Sequence, residues 1–144
     1  MKKVILDTNF LLIPYVFKVD IFNEIKRLIN DKYELLIMQG TIDELDNIIK
    51  RQKKKHKRAA NMALDLIKKK RIKIINQELI EIDKQKSLNT RSNSKKVINV
   101  DKAILEIADK NTIVATQDQK LKNKLRKKRI KLIVLRNKQY LKLI

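Results

Sequence analysis

The chain has 144 residues, enough for one domain that buries roughly two-thirds of its unfolded surface. Its 36 Lys and Arg stand against 16 Asp and Glu, and the formal net charge of +20 points to a polyanion as partner, nucleic acid first and an anionic membrane surface second. With no cysteine and one histidine, His56, set in a lysine run, disulfides, thiolate metal sites and a histidine zinc centre are excluded, so any bound metal is expected to have oxygen ligands.

Val4–Leu6 is a short apolar run behind two lysines, as in a strand buried on both faces, and it ends at Asp7. The next segment, Phe10–Phe17, is apolar and holds the only proline, Pro14, expected to kink or end a helix there. Asp20 is placed to cap a helix carrying Ile21, Phe22, Ile25, Leu28 and Ile29. Leu35–Met38 reads as a second strand, closed by Gln39 and the single glycine, Gly40.

A helix is then expected from Thr41 to about Lys55, opened by Thr41 and Glu44 as a capping box, and a second from about Arg58 to Lys70. Ile72, Ile74 and Ile75 mark a third strand. Gln77–Lys86 is weakly helical, and Ser87–Lys96 reads as a polar surface loop. Asn99 opens a helix with Val100, Ala103, Ile104, Ile107 and Ala108. Thr112–Ala115 is a fourth strand, Leu121 and Leu125 support a short basic helix, and Leu132–Leu135 is a fifth strand. The tail from Arg136 shows no clear pattern. Strands alternating with helices from end to end predict about five parallel strands joined by right-handed crossovers, with helices on both faces of the sheet. No composition shift marks a linker, so residues 1–144 are read as a single domain.

In such a sheet four acids fall on one edge. Asp7 follows strand one, Glu44 starts the helix after strand two, Asp101 lies in the first turn of the helix before strand four, and Asp118 follows strand four. Each also has an ordinary structural use as a helix cap or a complement to a helix dipole. Together they conflict, because two carboxylates about 4 Å apart repel by roughly 4 kcal/mol at an effective dielectric near 20. A divalent cation resolves that conflict, and an all-oxygen site suits magnesium or manganese.

The run Leu6–Asn9, Glu44 after Gly40 and Thr41, Asp101 within Val100–Ala108, and the step Thr116-Gln117-Asp118 resemble the PIN-domain ribonucleases over essentially the whole chain. That resemblance implies a three-layer α/β/α sandwich with a parallel, flavodoxin-like sheet in the order 3-2-1-4-5, and one or two Mg2+ or Mn2+ ions held by Asp7, Glu44, Asp101 and Asp118 as the catalytic, metal-binding residues, activating water to cut RNA. It also implies that Thr116 orients Asp118 or a ligand water and that Asn9 hydrogen-bonds near the metal. Many members carry a further acid directly after the third, and Lys102 stands there in this chain. The segments Leu6–Ile25 and Ile133–Leu143 are similar to the archaeal and eukaryotic PIN endonucleases of small-subunit ribosomal RNA processing. The branch with an added zinc ribbon is excluded for want of cysteines. VapC-type toxins share the same acids.

Three clusters concentrate the positive charge, at Lys50–Arg58, Lys68–Lys73 and Lys120–Lys131. Lys53, Lys54, Lys55, Arg58, Lys124, Arg126, Lys127 and Lys128 are the candidate RNA-binding residues. Without aromatic residues among them they would grip phosphates rather than stack bases. The expected function is a metal-dependent endoribonuclease, in pre-ribosomal RNA maturation by preference. The alternatives are a VapC-type toxin ribonuclease or a non-catalytic RNA-binding protein of the same fold. Expected partners are RNA, foremost pre-ribosomal RNA or a pre-ribosomal particle, with a homodimer left open. No bilayer-spanning stretch or signal peptide is visible, so no membrane partner and a cytoplasmic location are expected.

Overall fold

The computed structural model describes residues 1–76 and 99–144. The weak helix expected at Gln77–Lys86 and the loop expected at Ser87–Lys96 lie outside the described residues. Six strands form one sheet: β1 (Lys2–Leu6), β2 (Tyr33–Met38), β3 (Lys73–Ile75), β4 (Thr112–Ala115), β5 (Lys131–Arg136) and β6 (Tyr140–Leu143). Their order is β3-β2-β1-β4-β5-β6; the first five run parallel as expected, and β6 pairs antiparallel with β5.

Helices α1 (Thr8–Leu11), α2 (Ile13–Phe17), α3 (Ile21–Leu28), α4 (Gln39–Arg51), α5 (Lys54–Lys69), α6 (Val100–Ile107) and α7 (Gln119–Lys127) cover the sheet. None of the helices in the described residues is long and apolar enough to cross a membrane.

Alternation along the strands builds two cores, one on each face. Val4 and Leu6 of β1 join Ile37, Ile113, Ala115 and Ile133 under α1 to α5. Ile5, between them, points the other way and packs with Leu36, Met38, Val114, Leu132 and Val134 beneath Val100 and Ile104 of α6 and Leu121 and Leu125 of α7. Phe10 is fully buried, Phe22 is buried, and Tyr15 and Phe17 are half-buried, so these rings belong to the packing.

Several expected boundaries move. The helical segment breaks at Leu12, between α1 and α2, and Pro14 sits in the first turn of α2, where its missing N–H has no partner to lose. The helix expected from Thr41 starts two residues earlier, at Gln39, directly after β2. Thr41 is therefore its third residue, Met38 is the N-cap without a side-chain bond, and no capping box forms. The break between α4 and α5 falls at Gln52 and Lys53, both extended, where the stripe of Leu45, Ile48 and Ile49 gives way to that of Ala59, Ala60, Ala63 and Ile67.

The tail forms a hairpin strand. Asn137 and Lys138 both take left-handed backbone (φ 54° and 56°), and Gln139 N donates to the Arg136 carbonyl at 3.0 Å. Strand β6 is held from outside by α3. The Leu141 amide donates to Glu24 Oε1 at 3.0 Å, and Arg27 Nη2 donates to the Leu141 carbonyl at 2.9 Å. Arg27 also hydrogen-bonds both Glu24 oxygens, and these bonds, with that from Leu141, hold the Glu24 carboxyl below the usual carboxylate range.

Candidate active site

Ligands of open parallel sheets bind beyond the carboxyl ends of the strands where the chain changes direction across the sheet, here β1 and β4. In register, Leu6 lies opposite Ala115, and the Asp7 amide donates to the Ala115 carbonyl at 3.0 Å. The next residue of each strand, Asp7 and Thr116, therefore emerges side by side. Thr116 Oγ1 donates to Asp7 Oδ2 at 2.7 Å, and the Thr8 amide donates to Asp7 Oδ1 at 2.9 Å. Thr116 is fully buried and Asp7 is 5 % exposed.

Burial pushes the Asp7 carboxyl up to about 6, against the lowering effect of the Thr116 and Thr8 hydrogen bonds and with the help of the negative charges of Asp101 and Glu44. Asp7 is the N-cap of α1, as the ordinary reading would have it. It takes the amide of the first helical residue rather than of the second or third, and its other oxygen goes to a strand 109 residues away. Its placement thus serves more than the cap.

Glu44 lies in the second turn of α4, since that helix starts early. Partial burial of its carboxyl group raises it, the nearby Thr8 side chain lowers it, and Asp101 and Asp43 raise it further. The Thr8 and Thr41 hydroxyls are hydrogen-bonded at 3.1 Å, both buried, so Thr8 ties β1's end to the start of α4. Thr8 is the residue that sequence reasoning missed. Its signal was its position between Asp7 and Asn9 in a segment otherwise apolar.

Asp101 occupies the first turn of α6, whose N-cap Asn99 accepts from the Lys102 amide at 3.3 Å. Burial raises its carboxyl, as does Asp118, while Lys124 lowers it. Asp118 caps α7, with Oδ1 accepting from the Lys120 amide at 2.9 Å and the Leu121 amide at 3.1 Å. The Asp118 amide in turn donates to Thr116 Oγ1 at 3.1 Å. Thr116 therefore orients the side chain of Asp7 as well as the backbone of Asp118. Asn9 is exposed on α1, and Lys102 is exposed on α6.

The four acids are linked by mutual repulsion, Asp7 with Glu44 and Asp101, Glu44 with Asp101, and Asp101 with Asp118. As the side chains stand, no three acidic groups among the described residues are close enough to share one ion. The donor chemistry nevertheless fits a hard divalent cation: four carboxylates, no sulfur or imidazole, and one fixed acid beside three at the surface. Asp7 is locked by two hydrogen bonds and Asp118 is held through Oδ1 as the cap of α7, whereas the exposed Glu44 and half-exposed Asp101 have room to turn toward a shared ion.

The eight candidate RNA-binding residues are all exposed. Lys53, Lys54, Lys55 and Arg58 lie at the α4–α5 break, and Lys124, Arg126, Lys127 and Lys128 lie on and just beyond α7. On α7, Lys124 acts on Asp101, and Lys128 donates to the Leu105 carbonyl of α6.

Comparison with known proteins agrees with this architecture. A family profile described as "PIN like domain" matches residues 4–93. Ribonuclease VapC4 of Methanocaldococcus jannaschii is 34% identical over 144 residues, covering 97% of this chain and 95% of that protein. Among solved structures, the PIN domain endonuclease Utp24 superposes with a TM-score of 0.69 at 21% identity, over 98% of this chain and 90% of its own. A domain of a functionally unknown protein from M. jannaschii gives 0.54 at 18% identity, over 94% and 92%. With the parallel sheet, the acid-bearing strand ends and a relative this similar along nearly its whole length, the chain belongs to the PIN-domain family of ribonucleases.

Proposed function

We propose that this protein is an endoribonuclease of the VapC type, hydrolysing RNA with Mg2+ or Mn2+ held by Asp7, Glu44, Asp101 and Asp118. The observation that carries the reading is the buried Asp7, fixed by Thr116 and Thr8 within electrostatic reach of the other acids. A carboxylate kept at that cost has a use that a cap alone does not require. The 34% identity to ribonuclease VapC4 favours the VapC type over ribosomal RNA processing.

The bound ion supplies a polarised water and neutralises charge on the phosphate. Asp7 gives the site its fixed reference point, because both its oxygens are already oriented. Thr116 holds that orientation, and Thr8 ties the end of β1 to α4, the helix that carries Glu44. The surrounding lysines hold the RNA backbone by charge, without regard to sequence.

The second reading is maturation of small-subunit ribosomal RNA. It is supported by the resemblance carried by Leu6–Ile25 and Ile133–Leu143, two segments that the Glu24–Arg27 pair binds together in space.

The test is cleavage of end-labelled RNA with Mg2+, with Mn2+ and with chelator, by the wild type and by Asp7→Asn. Loss of cleavage in the variant and in chelator is expected; equal cleavage by both proteins overturns the assignment. Sequencing RNA crosslinked to the protein in its own cells separates the two readings. Transfer or messenger RNA favours the VapC type, and pre-ribosomal RNA favours processing.

A further inference from the structure

Helix α7 sorts its cations onto two flanks. Leu121 and Leu125 point into the core, and at 100° per residue Lys124 and Lys128 fall on one side of them, Lys122 and Arg126 on the other. The first flank faces α6, where Lys124 acts on Asp101 and Lys128 reaches the Leu105 carbonyl. The two contacts are each four residues apart on their own helix, so the helices run side by side in step.

The second flank faces the carboxyl end of β5. There the charge of Arg136, the last residue of that strand, acts on Lys122, and Arg126 lies one turn further along α7. Among the described residues none of these three forms an ion pair with an acid; the nearest negative charge that acts on Lys122 is Asp118, at the head of the helix. Two arginines thus act on a half-buried lysine next to the acid-bearing edge. Burial, then Arg136, then Arg126 lower the Lys122 ammonium from its usual value, and Asp118 opposes them. A fold that gathers like charges here, while pairing the opposite flank, leaves a place for an anion.

We infer that Lys122, Arg126 and Arg136 form a phosphate-binding subsite beside Asp118, which leads the RNA strand from the acids across α7 toward the β5–β6 hairpin. The inference rests on the ribonuclease reading for its ligand, a backbone phosphate of RNA. Two arginines suit it, since a guanidinium can grip phosphate oxygens in pairs. The nearby lysines on the outer side of α7, such as Lys127, would contribute only general attraction.

The experiment uses the full chain with Asp7→Asn as background and a fluorescein-labelled single-stranded RNA of about 12 nucleotides, followed by anisotropy from low to physiological salt. The pair Lys122→Gln and Arg136→Gln is compared with the pair Lys32→Gln and Lys110→Gln, which removes the same charge from exposed positions just before β2 and β4, at the opposite edge of the sheet. Loss of two phosphate contacts should make the plot of log affinity against log salt shallower by about 1.4, from the single-strand value of roughly 0.7 per contact. The control pair should leave the slope close to that of the parent. The Lys122 and Arg136 variants should melt no lower than the parent, because repulsion is relieved, so weaker binding will not reflect unfolding. Equal slopes in both pairs overturn the subsite in favour of diffuse charge, as does an unchanged slope in the first. The wild type's cleavage is read separately: if it cuts no RNA but the slopes differ as stated, the nuclease reading falls and the anion site stands.

Discussion

Asp7→Asn tests most of the site at once. In the folded protein burial raises the Asp7 carboxyl from 3.8 to about 6. The folded state therefore binds this proton more tightly than the unfolded state. Its contribution to stability is fully present below about pH 4 and is lost as pH rises through 6. Two pKa units correspond to about 3 kcal/mol between the two ends of that window. Asparagine keeps the shape and removes the charge. The amide oxygen can still accept from the Thr8 amide, but its NH2 must meet Thr116 Oγ1, which now has to accept; a mismatch there costs about 1 kcal/mol. The net expectation is a gain of about 2 kcal/mol above pH 7 in the presence of chelator, or a melting temperature higher by roughly 5–8 °C. Below pH 4 the gain should vanish or turn into a small loss. Thermal unfolding followed by circular dichroism from pH 3.5 to 8, on both proteins, reads this directly. Parallel curves across the whole range would refute the idea that Asp7 is held as a strained charge, and cleavage equal to wild type would remove it from the chemistry.

The remaining expectations concern the same edge and the surface around it. Mg2+ or Mn2+ should raise the melting temperature of the wild type at pH 7 and leave Asp7→Asn nearly unmoved; an equal shift in both would place the ion elsewhere. Thr116→Val should lower stability by about 1–2 kcal/mol through the lost bonds to Asp7 and the Asp118 amide, and it should lower kcat by more than KM; a change confined to KM would count against an orienting role. Glu44→Gln should weaken metal binding, measured by titration calorimetry, while leaving the melting temperature within about 1 °C, because Glu44 caps nothing. RNA affinity should fall by a few powers of ten between low and physiological salt, and a flat dependence would separate the lysines from binding.

Much of this fold was legible because buried parallel strands announce themselves. Val4–Leu6, Leu35–Met38, Thr112–Ala115 and Leu132–Leu135 are short apolar runs with polar ends, and each lies within a strand of the structure. Their parallel direction followed from their alternation with helices, and the order of the first five from the family resemblance. Strand β6 was hidden, because Arg136–Gln139 carries no glycine to mark the turn and the structure uses Asn137 and Lys138 in left-handed backbone. The start of α4 was misread since Thr41 and Glu44 imitate a capping box, whereas Thr41 is used inside the helix to meet Thr8. That same misreading hid Thr8. The convergence of acids was visible as a shared edge, but the bond between Asp7 and Thr116 depends on the register of β1 with β4, which one sequence cannot display. The two flanks of α7 required the position of Arg136 as well as helical spacing.

The grip of α3 on Leu141 bears on how the molecule behaves among its own copies. A terminal strand at a sheet edge normally offers a row of outward N–H and C=O groups, and any extended chain can add to it. In the β5–β6 ladder Leu132 and Ile144 bond each other through both groups, which leaves Leu141 and Leu143 turned outward. At Leu141 Glu24 and Arg27 take the places that a neighbouring strand's carbonyl and amide would fill. The imitation is of backbone by side chain, and it closes the middle of the edge without another strand. Removing it with Glu24→Ala and Arg27→Ala together would open both groups of Leu141 to another strand, and the first consequence to look for is concentration-dependent association.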